Sequence, residues 1–419
     1  MRISHILAVG LLLCAHEAKT SALPPLRIDD GRFLSGNKPF TFHGVNWFGF
    51  NNGQTMVDGL WAGGTSFATD FSTILFKLRL LGFNSVRLPF TFGDLKTPPI
   101  NQTVPCRIES VAVIFSKTRA KRHDVPFIGP HPYKNQCNAY IPPHKTLERF
   151  YWVIRQIIKN DMYVIIDYHP MGLEKIAYNR RLFINHWVSL WKGITELPYF
   201  TSEFKGRIVL DIMNEPDSMG LGWSSGMSKL YLDTMDATFK LHQPFFMVEG
   251  SGQTGYGGIC WGNGFITDKA VIKSFNIDDA NFFFETLMTK SYLSHVIISP
   301  HLYGPTVSRH AQYQGQFLKN RLTTSFGTLG TKGYCYKNKC HRFPIVIGEF
   351  GSFFQDARDL TYYNEMAAWF RSRFGTNVNW LYWAYNQNSG DTGGLVVNNW
   401  QDLAWFKLDW LSREMNLGK

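Results

Sequence analysis

The chain has 419 residues, 44% of them hydrophobic, which suits one large α/β barrel with insertions and excludes wholesale disorder. The formal net charge is +11, but the dense basic run is confined to residues 117–123 in a loop-like stretch. With no basic stripe and no recognisable nucleic-acid module, nucleic acid is set aside as a partner. Aromatic residues reach 16%: some of these rings belong in the core, and others can serve as platforms for the weakly polar faces of sugars.

At the start of the chain, Arg2 and the apolar stretch 6–15 read as a secretory signal, with Thr20-Ser21-Ala22 as a small-residue cleavage site. The expectation is a signal peptide over 1–22, a mature domain over 23–419 and an extracellular location. No later run is long enough to span a membrane, and the final residues carry no hydrophobic tail for a lipid anchor.

Strand-like apolar runs then alternate with helical ones. The first strand falls at 41–46, and a helix follows over 70–81, with Phe71, Ile74, Leu75, Leu78 and Leu81 on one face. A buried strand at 85–88 comes next. The stretch 90–143, rich in proline and basic residues and poor in periodicity, reads as a long loop or small insertion after the second strand. It holds the glycosylation sequon Asn101-Gln102-Thr103 and the run Arg119-Ala120-Lys121-Arg122, which resembles a dibasic processing site but is more simply a solvated loop.

Beyond it lie a helix at 145–160 and strands at 163–167, 208–212, 245–249, 296–299, 343–348 and 379–383, with helices notably at 227–240 and 361–374. About nine strand candidates alternate with helices, which argues for parallel strands and crossover helices. An open doubly wound sheet is the rival. Polar residues that cluster just after many different strands favour a (β/α)₈ TIM barrel with its site at the C-terminal rim.

Cys14 belongs to the signal. Of the other cysteines, Cys335 with Cys340 would close a short loop and Cys106 with Cys137 a longer one, leaving Cys260 odd; spacing alone does not decide the pairing.

Two glutamates end strands: Glu215 in Ile212-Met213-Asn214-Glu215-Pro216 and Glu349 in Gly348-Glu349-Phe350-Gly351. One such acid is commonly structural. A pair is what glycoside hydrolysis needs, one carboxyl to protonate the leaving oxygen and one to attack or to activate water.

Two glycine-rich motifs are decoys. Gly250-Ser251-Gly252-Gln253-Thr254-Gly255 matches a dinucleotide fingerprint, but further glycines follow where a helix should open. Gly222-Trp223-Ser224-Ser225-Gly226 matches a nucleophile elbow, but no strand precedes it. No histidine spacing resembles a zinc motif, so neither metal nor cofactor is expected.

Nearly the whole mature chain resembles glycoside hydrolase family 5, its cellulase-like members in particular. The resemblance runs in order through His43-Gly44-Val45-Asn46-Trp47-Phe48-Gly49-Phe50, Gly59-Leu60-Trp61, Asn84-Ser85-Val86-Arg87-Leu88-Pro89, Ile166-Asp167-Tyr168-His169, Asn214-Glu215-Pro216, Val248-Glu249-Gly250, His301-Leu302-Tyr303, Gly348-Glu349-Phe350-Gly351, Trp383 and the loop Asn388-Ser389-Gly390-Asp391-Thr392-Gly393-Gly394. That last loop is especially similar to bacterial endo-β-1,4-glucanases. The insertion departs from them and bears on the shape of the substrate cleft.

The resemblance implies a retaining mechanism with Glu215 as acid/base and Glu349 as nucleophile. It implies Arg87 beside the nucleophile, Tyr303 donating to Glu349, Asn214 on the sugar 2-hydroxyl, His301 near Glu215 and His169 on the sugar or a neighbour. Trp383 would stack under the reacting sugar, and Trp61 and Trp261 would extend the platform. Glu249 is left as structural. The expected activity is a monomeric, secreted endoglucanase acting on β-1,4-linked glucan. A mannanase or a glycolipid glucosidase on the same site, or a non-catalytic carbohydrate-binding protein, are the alternatives.

Overall fold

The computed structural model describes residues 23–61, 69–101, 104–105, 108–132, 136–170, 179–310 and 313–419. The expected signal, 1–22, lies outside them. Eight parallel strands form the central sheet: β1 His43–Asn46, β2 Ser85–Phe90, β3 Tyr163–Tyr168, β4 Ile208–Asp211, β5 Phe245–Val248, β6 Val296–Ile298, β7 Val346–Ile347 and β8 Asn379–Tyr382. Neighbours in the chain pair with one another, and β8 pairs with β1. A parallel bridge between Ile298 and Ile345 joins β6 to β7 and closes the ring. This is the (β/α)₈ barrel, not the open sheet.

The crossovers include α1 Phe71–Leu81, α2 Thr146–Lys159, α3 Arg180–Thr195, α4 Ser228–Phe239, α5 Asn281–Leu287, α6 Gly315–Leu322, α7 Ala357–Phe374 and, after β8, α8 Trp405–Glu414. Capping follows sequence: the Asp70 carboxyl accepts from Ser72 N at the start of α1, and Gly82 ends that helix in a left-handed conformation (φ 95°).

Strand alternation sorts side chains into two sets. Val164, Ile166, Ile208, Leu210, Phe246, Val248 and Trp380 join the large cluster shared with the helices. Tyr163, Ile165, Val209, Phe245, Met247, Ile297, Val346 and Leu381 form a second cluster with Leu23, Leu26, Phe33 and Phe42. The last four belong to or flank a small antiparallel sheet, Leu26–Asp29, Arg32–Ser35 and Lys38–Phe40. The Tyr163 hydroxyl donates to Pro24 O (2.8 Å), tying this sheet to the N-terminal end of β3. Continuing the second set up β2 to β5 reaches Arg87, Asp167, Asp211 and Glu249. The same two-residue period that fills the lower barrel with apolar side chains therefore delivers charge to its upper end.

The insertion after β2 contains a helix, Val111–Lys117, capped by Ser110, and a short antiparallel pair, Val104–Pro105 with Gln136–Cys137. Glu109 pairs with Lys77 of α1 (2.5 Å) and with Lys117 (2.6 Å), Phe127 packs on Phe76, and Arg119 lies 3.8 Å over the Trp405 ring of α8. These contacts hold it on the outside of the barrel. None of its described residues lines the cleft. Arg119 also pairs with Asp409, and Arg122 with Asp124 on the exposed surface.

Cys335 and Cys340 are bonded across a hairpin, and Cys260 is free. Cys137 is disulfide-bonded, while its expected partner Cys106 lies outside the described residues. Both decoys dissolve. Ser251–Gln253 pairs antiparallel with Ile259–Gly264 instead of opening a helix, and Ser224 is held by Asp278.

Trp380 is fully buried between the strands and α8, stacked on His43 and donating to Met415 O (3.0 Å). Trp380→Ala is expected to lower unfolding stability by about 3–5 kcal/mol. The same change at exposed Phe282 is expected to move it by less than about 0.5 kcal/mol, measured by denaturant titration.

Candidate active site

Arg87 is fully buried inside the barrel mouth. Its Nε donates to Asp211 (2.8 Å), Nη1 to Asn46 (3.0 Å) and Glu349 (2.5 Å), and Nη2 to Asn214 and Glu249 (3.0 Å each), with Asp167 3.1 Å away. A planar five-donor fork suits this convergence of acceptors, which a lysine could not serve. Arg87 thus pairs both with barrel acids and with Glu349.

Glu349 follows β7 and is bridged to His301 at the rim. Its other oxygen accepts from the Tyr303 hydroxyl (2.7 Å). Gly348 before it has no room for a side chain, since a Cβ there would meet Ser299 Oγ and lie 2.8 Å from His301 Nε2. Glu215 follows β4 in a left-handed backbone conformation (φ 41°, ψ 63°) that a non-glycine residue adopts at a cost. Glu249 holds that turn by accepting from Glu215 N (2.7 Å). His301 sits between the acids, Nδ1 3.1 Å from Glu215 Oε1 and 3.5 Å from Glu349 Oε2, with Nε2 3.1 Å from Glu249. Carboxylate oxygens of Glu215 and Glu349 lie within 4.8 Å of each other.

The electrostatics separate these two acids. Burial raises the pKa of Glu215, against the hydrogen bond and charge of His301. Burial also acts to raise that of Glu349, but the charges of His301, Arg87 and His169 and the Tyr303 hydrogen bond outweigh it and bring it below the usual carboxylate range. Burial pushes Asp211 up to about 6 and Glu249 well above its ordinary value, opposed by Arg87 and His301. His301 is desolvated, yet Glu249, Glu349 and Glu215 raise it well above the ordinary histidine range, so it carries charge. One carboxyl biased toward ionisation beside another biased toward protonation can carry out an acid-assisted displacement. Asp167, Asp211 and Glu249 also converge in the manner of a cation's ligands, and the Arg87 guanidinium is the cation they surround.

Around the acids opens a cleft of about 860 Å³. His169 lines it, its Nδ1 2.8 Å from Asp167 and its ring stacked on Trp383 (5.3 Å). Trp383 also stacks on Phe48 (5.5 Å). Trp261 also lines it, edge-on to Tyr303. Asp217 pins Trp261 by accepting from Trp261 N (2.7 Å) and Gly262 N (3.0 Å). Trp61 does not line the cleft. Its ring is half-buried against the main core, which corrects the expectation that it extends the platform.

Asp217, Asp211, Phe353 and Arg309 were not singled out from sequence, and Phe48 was noted as part of a motif without a role. Asp217, two residues after Glu215, and Asp211, ending β4, carried a positional signal. Phe353 and Arg309 stand in irregular loops with none.

A family model described as cellulase (glycosyl hydrolase family 5) matches residues 36–389. The chain belongs to glycosyl hydrolase family 5. It is an O-glycosyl hydrolase. The major extracellular endoglucanase of Xanthomonas campestris pv. campestris is 24% identical over 414 residues, covering 94% of this chain and 71% of its own. An endoglucanase of Paenibacillus polymyxa is 24% identical over 393 residues, covering 90% and 83%. The endocellulase from Pyrococcus horikoshii, solved in complex with cellotetraose, shares the fold of this family 5 chain with a TM-score of 0.65 at 21% identity, covering 93% of this chain and 98% of that one.

The charge on His301 lowers the pKa of both Glu215 and Glu349. A kcat/KM profile that needs Glu349 ionised and Glu215 protonated has an acid limb from the first and a basic limb from the second. His301→Asn is expected to move both limbs to higher pH. Limbs that stay in place, or move apart, would show that His301 is not charged beside them.

Proposed function

We propose that this family 5 hydrolase is a secreted, retaining endo-β-1,4-glucanase, with residues 1–22 as its signal peptide and 23–419 as the mature catalytic domain. The observation that carries the mechanism is the pair of acids with oxygens within 4.8 Å and opposite ionisation biases. Retaining enzymes hold the two carboxyls about 5–5.5 Å apart, whereas inverting enzymes leave about 6.5–9.5 Å for a water.

In the first step the Glu349 carboxylate attacks the anomeric carbon to form a glycosyl ester. The glycosidic C–O bond breaks as Glu215 gives its proton to the departing oxygen. The charge of Glu349, which had raised the Glu215 pKa, is then gone, so Glu215 stays deprotonated after giving up its proton and is ready to act as a base. In the second step it takes a proton from water, whose oxygen attacks the same carbon and releases Glu349.

Arg87 binds the Asn214 oxygen, so the amide nitrogen is the end left to donate to the sugar 2-hydroxyl. Tyr303 steadies Glu349, and Trp383, with Phe48 and His169 stacked against it, offers the platform under the reacting sugar. Trp261, a further ring in the cleft wall, extends that platform.

The β-glucan assignment rests on an open cleft lined by rings and amides, Asn51, Asn52 and Asn388 among them, and on relatives named as endoglucanases. The extracellular relative and the signal-like start support secretion.

The test is hydrolysis of carboxymethylcellulose, mannan and glucosylceramide by the purified protein. Carboxymethylcellulose is expected to lose viscosity rapidly, and Glu349→Gln to reduce the rate by more than about 10³-fold. Activity confined to mannan or the glycolipid would replace the substrate and keep the acids. Activity undiminished by Glu349→Gln would overturn the assignment of the nucleophile.

A further inference from the structure

Lys407 lies in the first turn of α8 and is buried, 2% exposed. Its position is unfavourable in two ways. A cation at a helix N-terminus opposes the helix dipole, and a buried ammonium loses its hydration. No carboxylate offsets this cost among the described residues. Instead, the ammonium donates to two backbone carbonyls, Thr392 O (2.8 Å) and Gly393 O (3.0 Å), and lies near the rings of Phe353, Tyr382 and Phe406. Burial pulls this amine down to about 7, as expected for a lysine without an opposing charge.

The two carbonyls belong to the loop after β8. Four residues of that loop, Asn388, Ser389, Gly390 and Asp391, wall the cleft. Within the loop Gly393 N donates to Ser389 O (2.9 Å) and the hydroxyls of Ser389 and Thr392 lie 2.7 Å apart, while Asn388 at its outer end donates to Asp58 (2.7 Å). Gly393 also abuts Phe353, where an added Cβ would come within 2.8 Å of the ring, and Phe353 is itself a cleft residue. Lys407 is therefore joined to two parts of the cleft wall while touching none of the open space.

We propose that Lys407 is a positioning residue for substrate binding: by clamping the Thr392 and Gly393 carbonyls from beneath, it holds the 388–391 wall and Phe353 in the place that receives the glycan. The role in binding rests on the glycanase reading of the cleft; the clamp itself does not. Lys407 reaches neither acid, so its contribution falls on binding and leaves the chemical step alone.

Two readouts on the full-length protein test this. The first is amide hydrogen exchange, which needs no substrate. Lys407→Met keeps the apolar stem and removes the donors. It is expected to speed exchange across 386–395 about tenfold while the barrel strands stay protected. Lys407→Gln retains a donor and is expected to fall between, which keeps the test decisive if the methionine variant does not fold. The second is kinetics, on whichever glycan the wild type cleaves. Lys407→Met is expected to raise KM about tenfold with kcat within about threefold, and Lys407→Gln to recover part of the loss.

Unchanged exchange in 386–395 for both variants would overturn the clamp. Faster exchange there with an unchanged KM, or a fall confined to kcat, would overturn the positioning role. A wild type that cleaves no β-1,4-glucan would count against the substrate assignment and leave the exchange result standing.

Discussion

The site depends on one buried cation. Arg87 stands inside the barrel mouth with no access to water and is met by Asp167, Asp211, Glu249 and Glu349. None of these carboxyls could be buried alone at acceptable cost, and the guanidinium could not be buried without them. Its fork also takes the oxygens of Asn46 and Asn214, so it orients neutral groups along with charged ones. Because the acids outnumber the cations, not all can ionise together. Glu349, nearest to Arg87 and supported by His301 and Tyr303, is shifted toward the charged form, and Glu215 is shifted away from it.

The rest of the barrel mouth serves this separation. Glu249 does more than balance Arg87: it accepts the Glu215 amide and lies against His301, so it links the strained turn at Glu215 to the cation and to the histidine between the acids. Asp217, just beyond that turn, carries the order outward by pinning Trp261. The lower barrel is closed by a plug of apolar side chains and the small N-terminal sheet, which leaves chemistry to one end.

Much of this was legible in the residues because both barrel geometry and acid pairing leave local marks. The strands are short runs of Val, Ile and Phe, and the two glutamates stand just past two of them. Arg87 in the middle of an apolar strand is conspicuous, since an inward arginine needs acids on neighbouring strands. Other features left no such mark. The strands at 26–40 are too short and too exposed to show alternation. The insertion helix 111–117 presents exposed Val111 and Val113, which blurs its period. Trp61 stands in a motif shared with the family, yet its ring packs on the core, because a motif gives a residue's neighbours in the chain and not the direction of its side chain. Lys407 looks like any surface lysine on an amphipathic helix until the two loop carbonyls it binds are seen.

In the proposed mechanism the Arg87-centred network holds Glu349 ionised and Glu215 protonated over one pH range. Carbon-13 NMR titration of the glutamate side-chain carboxyls, with the two signals assigned from Glu215→Gln and Glu349→Gln, measures this directly. Glu349 is expected to titrate below the ordinary glutamate value and Glu215 above it. A reversed order, or two carboxyls that titrate together at the ordinary value, would contradict it.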